Sequence, residues 1–287
     1  MNIDKKIKIL DFKLSKILNW WLFWAYKSLF SGSWMEFDEH SEYTFWNQLK
    51  DIDWKASSKT DNIFVKKYEE ERDLNVLFIV DNTLSMQFWT QDKTKKETLE
   101  EVFYSLSLSA YYNNDNIWWL IFDEKGFEFL DYKKSKNNIY NVLDIVERKN
   151  NNEYKDFNKY NEIFKYLINR NIKDNLIFLM TDEVERIDEK LLRFISKNNE
   201  IVVINIFDNF ENNLTDLPFE LSLNLWKQFL NIDLWNKKKV EEYKKLRKDD
   251  ITYIKALLNK NKSWYIDIDN KSDISKKLIE YFSKVKK

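Results

Sequence analysis

The feature that most constrains the fold is the apolar run at residues 74–80, which is followed at once by Asp81, Thr83 and Ser85. A run of this length, rich in Val, Ile and Phe, is typical of a strand buried on both faces of a parallel sheet. A helical pattern begins near Lys95. In open α/β sheets, ligands bind beyond the carboxyl ends of the strands, where loops lead into helices. The sequence therefore predicts a functional site on this loop.

The three polar side chains of the loop have two interpretations. One carboxylate and two hydroxyls form a small set of hard oxygen atoms, which Mg²⁺, Mn²⁺ or Ca²⁺ accepts more readily than Zn²⁺ or copper does. The alternative is a strand that ends in a turn, with Asp81 and Thr83 capping the next helix. The spacing of the residues alone leaves both interpretations open.

Apolar runs and amphipathic helices alternate along the rest of the chain. After the first strand, we predict strands at residues 117–122, 127–130, 175–180, 201–206 and 265–268. We predict helices at residues 95–112, 138–147, 160–169, 188–197, 238–259 and 274–285. This order indicates βαβ units and an α/β fold with a doubly wound, mostly parallel sheet and helices on both faces.

A second buried strand, at residues 175–180, is followed by Thr181 and Asp182. When two such strands are neighbours in a doubly wound sheet, their carboxylates meet at one edge. We therefore expect Asp81, Thr83, Ser85 and Asp182 to converge to within metal-bridging distance.

Composition excludes several classes of function. The 287 residues are enough to bury a large core, and a net charge of −1 gives no overall attraction to nucleic acid. The chain has no cysteine, which agrees with a reducing compartment. His40 is the only histidine, so a two-histidine metal site and a Ser-His-Asp triad are excluded. We expect a cytoplasmic protein without a nucleic-acid partner.

Residues 19–30 form an aromatic segment of the kind found at membrane interfaces. The segment is too short to span a bilayer, and Lys27 interrupts it. No signal-peptide layout precedes it; instead, an amphipathic helix is predicted at residues 4–18. We therefore expect no direct insertion into a membrane.

Three classes of protein place an aspartate after a buried strand in this way. A haloacid-dehalogenase-type phosphotransferase uses a second Asp two residues later, where this chain has Thr83. A metal-dependent nuclease gathers more acidic residues than the sequence places near Asp81. A von Willebrand factor A domain has a metal-ion-dependent adhesion site of the form Asp-x-Ser-x-Ser. Residues 81–85, DNTLS, match this form with a Thr hydroxyl in the middle place.

The flanking residues distinguish these classes. Residues 31–37 are SGSWMEF, a tyrosine block follows at Tyr43, Lys50 and residues 52–54, and Glu-Glu-Arg stands at residues 70–72. From about Tyr26 to the C-terminus, the chain resembles a bacterial family of von Willebrand A-like proteins called domain of unknown function 58. Members of that family are typically encoded beside MoxR-type AAA+ ATPases.

Two departures from the family pattern bear on metal binding. An acidic pair of the tyrosine block is replaced by Asn47 and Gln48. A Thr that reaches the metal in related domains has its nearest counterpart at Lys155, where an ammonium would lie in the place of a cation. Asp182 matches the acidic residue after the fourth strand of the family.

The resemblance implies a non-enzymatic interaction module. In such domains a bound Mg²⁺ or Mn²⁺ keeps an open coordination position that a partner's Asp or Glu completes, here with Asp81, Thr83, Ser85 and Asp182 as ligands. Since the chain has no Walker A motif, ATP hydrolysis falls to a MoxR-type ATPase, for which this protein is an adaptor or assembly factor acting on a client protein. The alternative is a metal-dependent phosphatase or nuclease that uses Asp81.

The resemblance also predicts how the chain is divided. Residues 1–72 are an N-terminal helix and a small, irregular, polar region specific to the family. Residues 73–287 are the von Willebrand A-like domain, with a short strand excursion near residues 208–236.

The counts of glycine and tryptophan do not fit this fold. The chain has 2 Gly and 12 Trp, whereas glycine is ordinarily about 7% of a globular protein. Only Trp54 stands where the family itself has Trp. The other eleven look like glycines, and they are Trp20, Trp21, Trp24, Trp34, Trp46, Trp89, Trp118, Trp119, Trp226, Trp235 and Trp264.

One explanation is a UGA codon at these eleven positions, which some bacterial lineages read as glycine. The alternative is a truly Trp-rich protein that uses indoles in its core or at an interface. The first explanation predicts that many of the eleven side chains lie on loops, exposed or crowded, some with positive φ. It also predicts that Trp54 is packed.

Overall fold

The computed structural model describes residues 7–10, 40–42, 57–58, 64–66, 73–87, 93–131, 135–148, 159–182, 187–208, 210, 220–225, 228–233 and 236–285. Within the predicted N-terminal helix, residues 7–10 are helical. Lys155, Trp54 and eight of the other eleven tryptophans lie outside the described residues. The predicted division between residues 72 and 73 stays a prediction.

The described strands form three sheets. Strand β1 (His40–Glu42) pairs antiparallel with β2 (Phe64–Lys66), and β8 (Glu220–Leu225) pairs antiparallel with β9 (Gln228–Asp233). The second of these pairs lies in the predicted strand excursion. The third sheet has six strands, in the spatial order β10 (Trp264–Asp269), β7 (Glu200–Phe207), β6 (Asn175–Thr181), β3 (Asn75–Asp81), β4 (Asn116–Phe122) and β5 (Phe127–Leu130). All neighbours in this sheet are parallel except β4 and β5.

Helices separate the parallel strands along the chain, and the last helix follows β10. They are α1 (Lys95–Tyr112), α2 (Lys136–Glu147), α3 (Lys159–Asn169), α4 (Glu189–Ser196), α5 (Lys237–Lys260) and α6 (Ile274–Val285). No helix among the described residues is long and apolar enough to cross a lipid bilayer.

The central strand β3 is buried on both faces. Val76, Phe78 and Val80 pack into the core that α1, α2 and α6 cover, whereas Leu77 and Ile79 pack into the core beneath α3, α4 and α5. All five side chains are at most 1% exposed. This alternation has the two-residue period of a strand. The doubly wound, mostly parallel fold predicted from the sequence is therefore confirmed.

Helix α1 begins at a capping box. The Thr94 hydroxyl accepts a hydrogen bond from the backbone N–H of Glu97 at 3.0 Å, and a Glu97 carboxylate oxygen accepts one from the backbone N–H of Thr94 at 2.8 Å. This reciprocal pair satisfies two backbone donors at the helix start. The cap therefore fixes Lys95 as the first helical residue, just beyond the carboxyl edge of the sheet.

Five residues of the described backbone have a positive φ, and none of them is a tryptophan. They are Asn114, Asn171, Asp174, Lys262 and Gly126, the glycine of the β4–β5 turn. Asn and Asp tolerate this conformation better than most residues do. In this part of the chain, Asn and Asp therefore take places that glycine would ordinarily fill.

Three of the eleven glycine-like tryptophans lie in described strands. Trp118 and Trp119 belong to β4, and Trp264 is the first residue of β10. None of the three has a positive φ, and Trp118 and Trp119 lie in the strand predicted at residues 117–122. That many of the eleven side chains lie on loops, some with positive φ, stays a prediction, because eight of them lie outside the described residues. Trp119 is only 2% exposed, and its indole Nε1 has no hydrogen-bond partner. An unpaired buried N–H costs free energy, which makes Trp119 a poor core residue despite its size.

We predict that Phe78→Ala lowers the free energy of unfolding by about 3–5 kcal/mol, because it leaves a cavity at the centre of the sheet. The Phe78 ring stacks on Phe178 with centroids 5.3 Å apart and meets the edge of Phe103 at 6.0 Å. Urea denaturation followed by circular dichroism measures the loss. The control is Phe194→Ala on α4, where the side chain is 61% exposed and a change within about 0.5 kcal/mol is expected. Equal losses in the two variants would contradict this packing.

Candidate metal-binding site

Asp81 is the last residue of β3, and its side chain is fully buried. Its Oδ1 accepts hydrogen bonds from the Thr83 backbone N–H at 3.0 Å and from the Thr83 hydroxyl at 2.6 Å. Its Oδ2 accepts from the Thr181 hydroxyl at 2.7 Å and from the Tyr160 hydroxyl at 3.3 Å. The carboxylate is therefore held by the loop on one side and by β6 and α3 on the other.

The four side chains predicted from the sequence meet in one chain of oxygen atoms. Thr83 Oγ1 lies 2.6 Å from Asp81 Oδ1 and 2.9 Å from Ser85 Oγ. Ser85 Oγ donates a hydrogen bond to Asp182 Oδ1 at 3.0 Å. We call Asp81, Thr83, Ser85 and Asp182 the oxygen cluster. Their role as metal ligands stays a prediction.

The register between β3 and β6 explains why these residues meet. Val80 pairs with Met180 in the parallel ladder, so Asp81 and Thr181 come next at the same level. Asp182 follows one residue later and reaches the loop that leaves β3. The oxygen cluster therefore lies at the carboxyl edge of the sheet, where open α/β folds bind ligands.

The oxygen cluster has the chemistry and the spacing that suit a hard divalent cation. With Mg²⁺ ligands at about 2.1 Å in an octahedron, adjacent ligand atoms are about 3 Å apart. Consecutive oxygens of the cluster are 2.6, 2.9 and 3.0 Å apart. Within the described ranges, no three His, Cys, Asp or Glu side chains gather in a metal-binding arrangement. A cation at this site would therefore depend on the two hydroxyls as well as on the two carboxylates.

When both carboxyl groups of the oxygen cluster are ionised, the cluster has one hydrogen atom fewer than it has oxygen–oxygen contacts. It has three oxygen–oxygen contacts, between Asp81 and Thr83, Thr83 and Ser85, and Ser85 and Asp182. The two hydroxyls carry one hydrogen each. One contact is therefore repulsive unless a carboxyl group is protonated or a cation is bound.

A protein-family model matches most of the chain. The model described as Protein of unknown function DUF58 matches residues 39–250. The chain belongs to this family. No curated protein matches the sequence of this DUF58 protein.

Two solved structures are similar to this DUF58 protein in outline. BatB from Bacteroides thetaiotaomicron is 14% identical, with 74% of this chain and 98% of BatB covered and a TM-score of 0.42. The VWA domain of SpRpn10 is 10% identical, with 73% of this chain and 95% of that domain covered and a TM-score of 0.41.

Lys95 is a residue of the site that the sequence analysis missed. Its Nζ lies 2.6 Å from Asp182 Oδ2, and the two side chains are only 3% and 4% exposed. The family resemblance predicts a competing ammonium at Lys155, which lies outside the described residues. The available signal was a lysine at the first position of a helix, where the macrodipole disfavours a positive charge. In this DUF58 protein, that charge is compensated by Asp182.

Other contacts hold the loop of the DUF58 protein from the side of the β4–β5 turn. The backbone N–H of Leu84 donates to Glu124 Oε1 at 2.6 Å, and that of Asn82 donates to the carbonyl of Phe122 at 2.8 Å. Glu124 is 7% exposed. These partners were not identifiable in advance because they lie about 40 residues away in sequence and carry no motif.

A cleft of 420 Å³ adjoins the loop. Apolar and charged residues of both signs line it, namely Asn82, Ile121, Phe122, Asp123, Lys125, Gly126, Phe127, Glu128, Ile145 and Arg148. Because Asn82 belongs both to this cleft and to the loop, the cleft borders the loop that carries Thr83 and Ser85.

Burial, and to a lesser degree the negative charge of Asp182, together raise the pKa of Asp81 from 3.8 to about 6. The hydrogen bonds from Thr83 and Thr181 oppose this rise because they favour the ionised form. Near neutral pH, the site therefore holds an ionised carboxylate that has lost its contact with water. The added proton that the oxygen cluster needs is available on Asp81 only in mildly acidic solution.

We predict that Asp81→Asn stabilises the metal-free protein at pH 7.5, by an amount on the order of 1–3 kcal/mol. The pKa of Asp81 in the folded protein, about 6, exceeds the ordinary value of 3.8. Protonation therefore favours the folded state, and this contribution is complete below about pH 4 and lost as the pH rises through 6. The advantage of the variant should narrow as the pH falls from 7.5 to 4.5, as measured by urea unfolding in EDTA.

The control is Asp144→Asn on α2, where the carboxylate is 43% exposed and pairs with Arg148. This exposed pair should contribute little at either pH. A stability gain for Asp81→Asn that grows toward acidic pH would contradict the direction of the pKa shift.

Proposed function

We propose that this DUF58 protein is a non-enzymatic interaction module that serves as an adaptor or assembly factor for a MoxR-type AAA+ ATPase and a client protein. The observation that carries this proposal is the convergence of Asp81, Thr83, Ser85 and Asp182 at the carboxyl edge of the sheet. These are the residues that the von Willebrand A resemblance assigns to the adhesion site. We place the protein in the cytoplasm, without nucleic acid and without insertion into a membrane.

The oxygen cluster would hold Mg²⁺ or Mn²⁺ through the Asp81 and Asp182 carboxylates and the Thr83 and Ser85 hydroxyls, directly or through water molecules. Such an ion, when bound, offers an open coordination position to a carboxylate of a partner's Asp or Glu. The loop supplies its ligands in a fixed arrangement, because Asp81 already binds the Thr83 backbone and side chain. The adjoining cleft, with charges of both signs, would receive the residues that flank the partner's carboxylate.

The surroundings of Asp81 favour binding over catalysis. Its side chain is 0% exposed, and each of its two oxygens accepts two hydrogen bonds. A nucleophilic carboxylate needs an oxygen that a substrate can approach, together with a general acid or base within reach. The groups that contact Asp81 are hydroxyls and one amide, and Thr83 stands where a phosphotransferase has its second Asp. These contacts support a role in which Asp81 orients other ligands.

We predict that the protein binds a MoxR-type ATPase from the same organism in a Mg²⁺-dependent manner, as measured by biolayer interferometry with purified proteins. EDTA should weaken binding by roughly tenfold or more, and Thr83→Val should do the same, because each removes part of the coordination sphere. The matched control is Thr252→Val on α5, whose hydroxyl donates to the Lys248 carbonyl. Binding that is equal in Mg²⁺ and EDTA would refute the metal-bridged contact, and no binding at all would refute the adaptor role.

We also propose that the eleven tryptophans other than Trp54 are glycine in the functional protein, encoded by UGA. The unpaired indole N–H of buried Trp119 supports this, as does a total of 2 glycines in 287 residues. The protein would then contain thirteen glycines and no tryptophan at residues 19–30.

The coding DNA and the mass of the native protein test this proposal. We expect TGA at the eleven positions and TGG at Trp54, with native peptides that carry glycine. TGG at all twelve codons, or native peptides with these tryptophans, would show a truly Trp-rich protein.

A further inference from the structure

The Lys95–Asp182 pair is a buried charge pair next to the oxygen cluster. Lys95 Nζ lies 2.6 Å from Asp182 Oδ2, while Asp182 Oδ1 accepts the hydrogen bond from Ser85. Asp182 therefore connects the ammonium to the loop through its two oxygens. Each side chain of the pair is at least 96% buried.

Burial of this lysine is energetically demanding. An ammonium that leaves water must recover its hydration energy from its protein partners. The position at the first turn of α1 makes the demand greater, because the positive end of the helix dipole lies there. Glu97, the acidic residue of that first turn, is engaged in the capping box with Thr94. Asp182 lies within salt-bridge distance of the Lys95 ammonium and compensates its charge.

The net charge of the site indicates how the Lys95 ammonium affects the binding of a divalent cation. Asp81 and Asp182 together carry two negative charges when ionised, which a divalent cation would neutralise in full. With Lys95 in place, the same cation would leave an excess of one positive charge. The ammonium and the divalent cation carry charges of the same sign and would both bind the Asp182 carboxylate, so they repel each other at short range.

We propose that the Lys95 ammonium is a resident counter-ion of the oxygen cluster, which orders the loop without metal and competes with a divalent cation for Asp182. This inference rests on the proposed metal role of the cluster. Lys95 is thus a positioning residue that sets the metal affinity of the site, so that the cluster fills only at high divalent concentration. The binding of a partner's carboxylate then depends on a divalent metal ion replacing the Lys95 ammonium at Asp182.

The test compares Lys95→Met, which keeps an unbranched side chain and removes the charge, with Lys96→Met as the matched control on the same turn of α1. Mn²⁺ alone is the probe, and its binding at pH 7.5 is measured by calorimetry and by the electron paramagnetic resonance signal of the free ion. Lys95→Met should bind Mn²⁺ at least roughly tenfold more tightly than the unaltered protein, because a like charge has been removed. Lys96→Met should leave the affinity unchanged.

A second measurement, the melting temperature, tests the role of Lys95 even if the unaltered protein binds no metal. In EDTA, Lys95→Met should lower the melting temperature, because Asp182 is left buried without its counter-ion. Addition of Mn²⁺ should restore the melting temperature of this variant more than it raises that of the unaltered protein. If the variant is unfolded in EDTA, folding on addition of Mn²⁺ supports the proposal, and failure to fold overturns it.

The outcomes separate this proposal from the proposed function. Equal Mn²⁺ affinity in the unaltered protein and in Lys95→Met overturns the counter-ion role and leaves the metal site standing. Tight binding by the variant alone supports the counter-ion role and removes the metal from the proposed function of the unaltered protein. No binding by either protein overturns both.

Discussion

The parallel register between β3 and β6 is the constraint on which the site depends. It places Asp81 and Thr181 at the same level of the sheet, and it brings Asp182 to the loop that follows β3. A shift of one residue would turn each of these side chains to the opposite face. The register is maintained by apolar contacts on both faces of β3, including the stacked rings of Phe78 and Phe178. The geometry of the polar site is thus a consequence of the packing of the core.

The site also shows how a fold can bury opposite charges close to its surface. Asp81 is stabilised by hydrogen bonds from Thr83 and Thr181, whereas Asp182 is stabilised by the ammonium of Lys95. Hydrogen bonds alone leave Asp81 with a raised pKa, because burial and the neighbouring carboxylate outweigh them. The two carboxylates are chemically alike, and their different partners give them different roles. Asp81 organises the loop, and Asp182 connects the loop to α1.

The fold and the four residues of the oxygen cluster were predictable from the sequence because they rest on local patterns. An apolar run marks a buried strand, and an acidic residue after it marks the carboxyl edge. Lys95, Tyr160 and Glu124 were not predictable in the same way, because each reaches the site from a separate element and only the packing decides which side chain arrives. The described tryptophans are a different case. A pattern of expected glycines says nothing about whether strand positions such as Trp119 need a positive φ.

The two backbone contacts from the β4–β5 turn have a mechanical consequence for the loop. The amides of Asn82 and Leu84 are bonded to Phe122 and Glu124, two residues that flank the end of one strand. The loop and the turn therefore form a single unit, and neither can swing outward without breaking bonds in the other. Amide hydrogen exchange at Asn82 and Leu84 should accordingly proceed only when the hairpin opens. A force applied by a bound partner would be transmitted through these amides to the edge of the sheet rather than absorbed by a flexible loop.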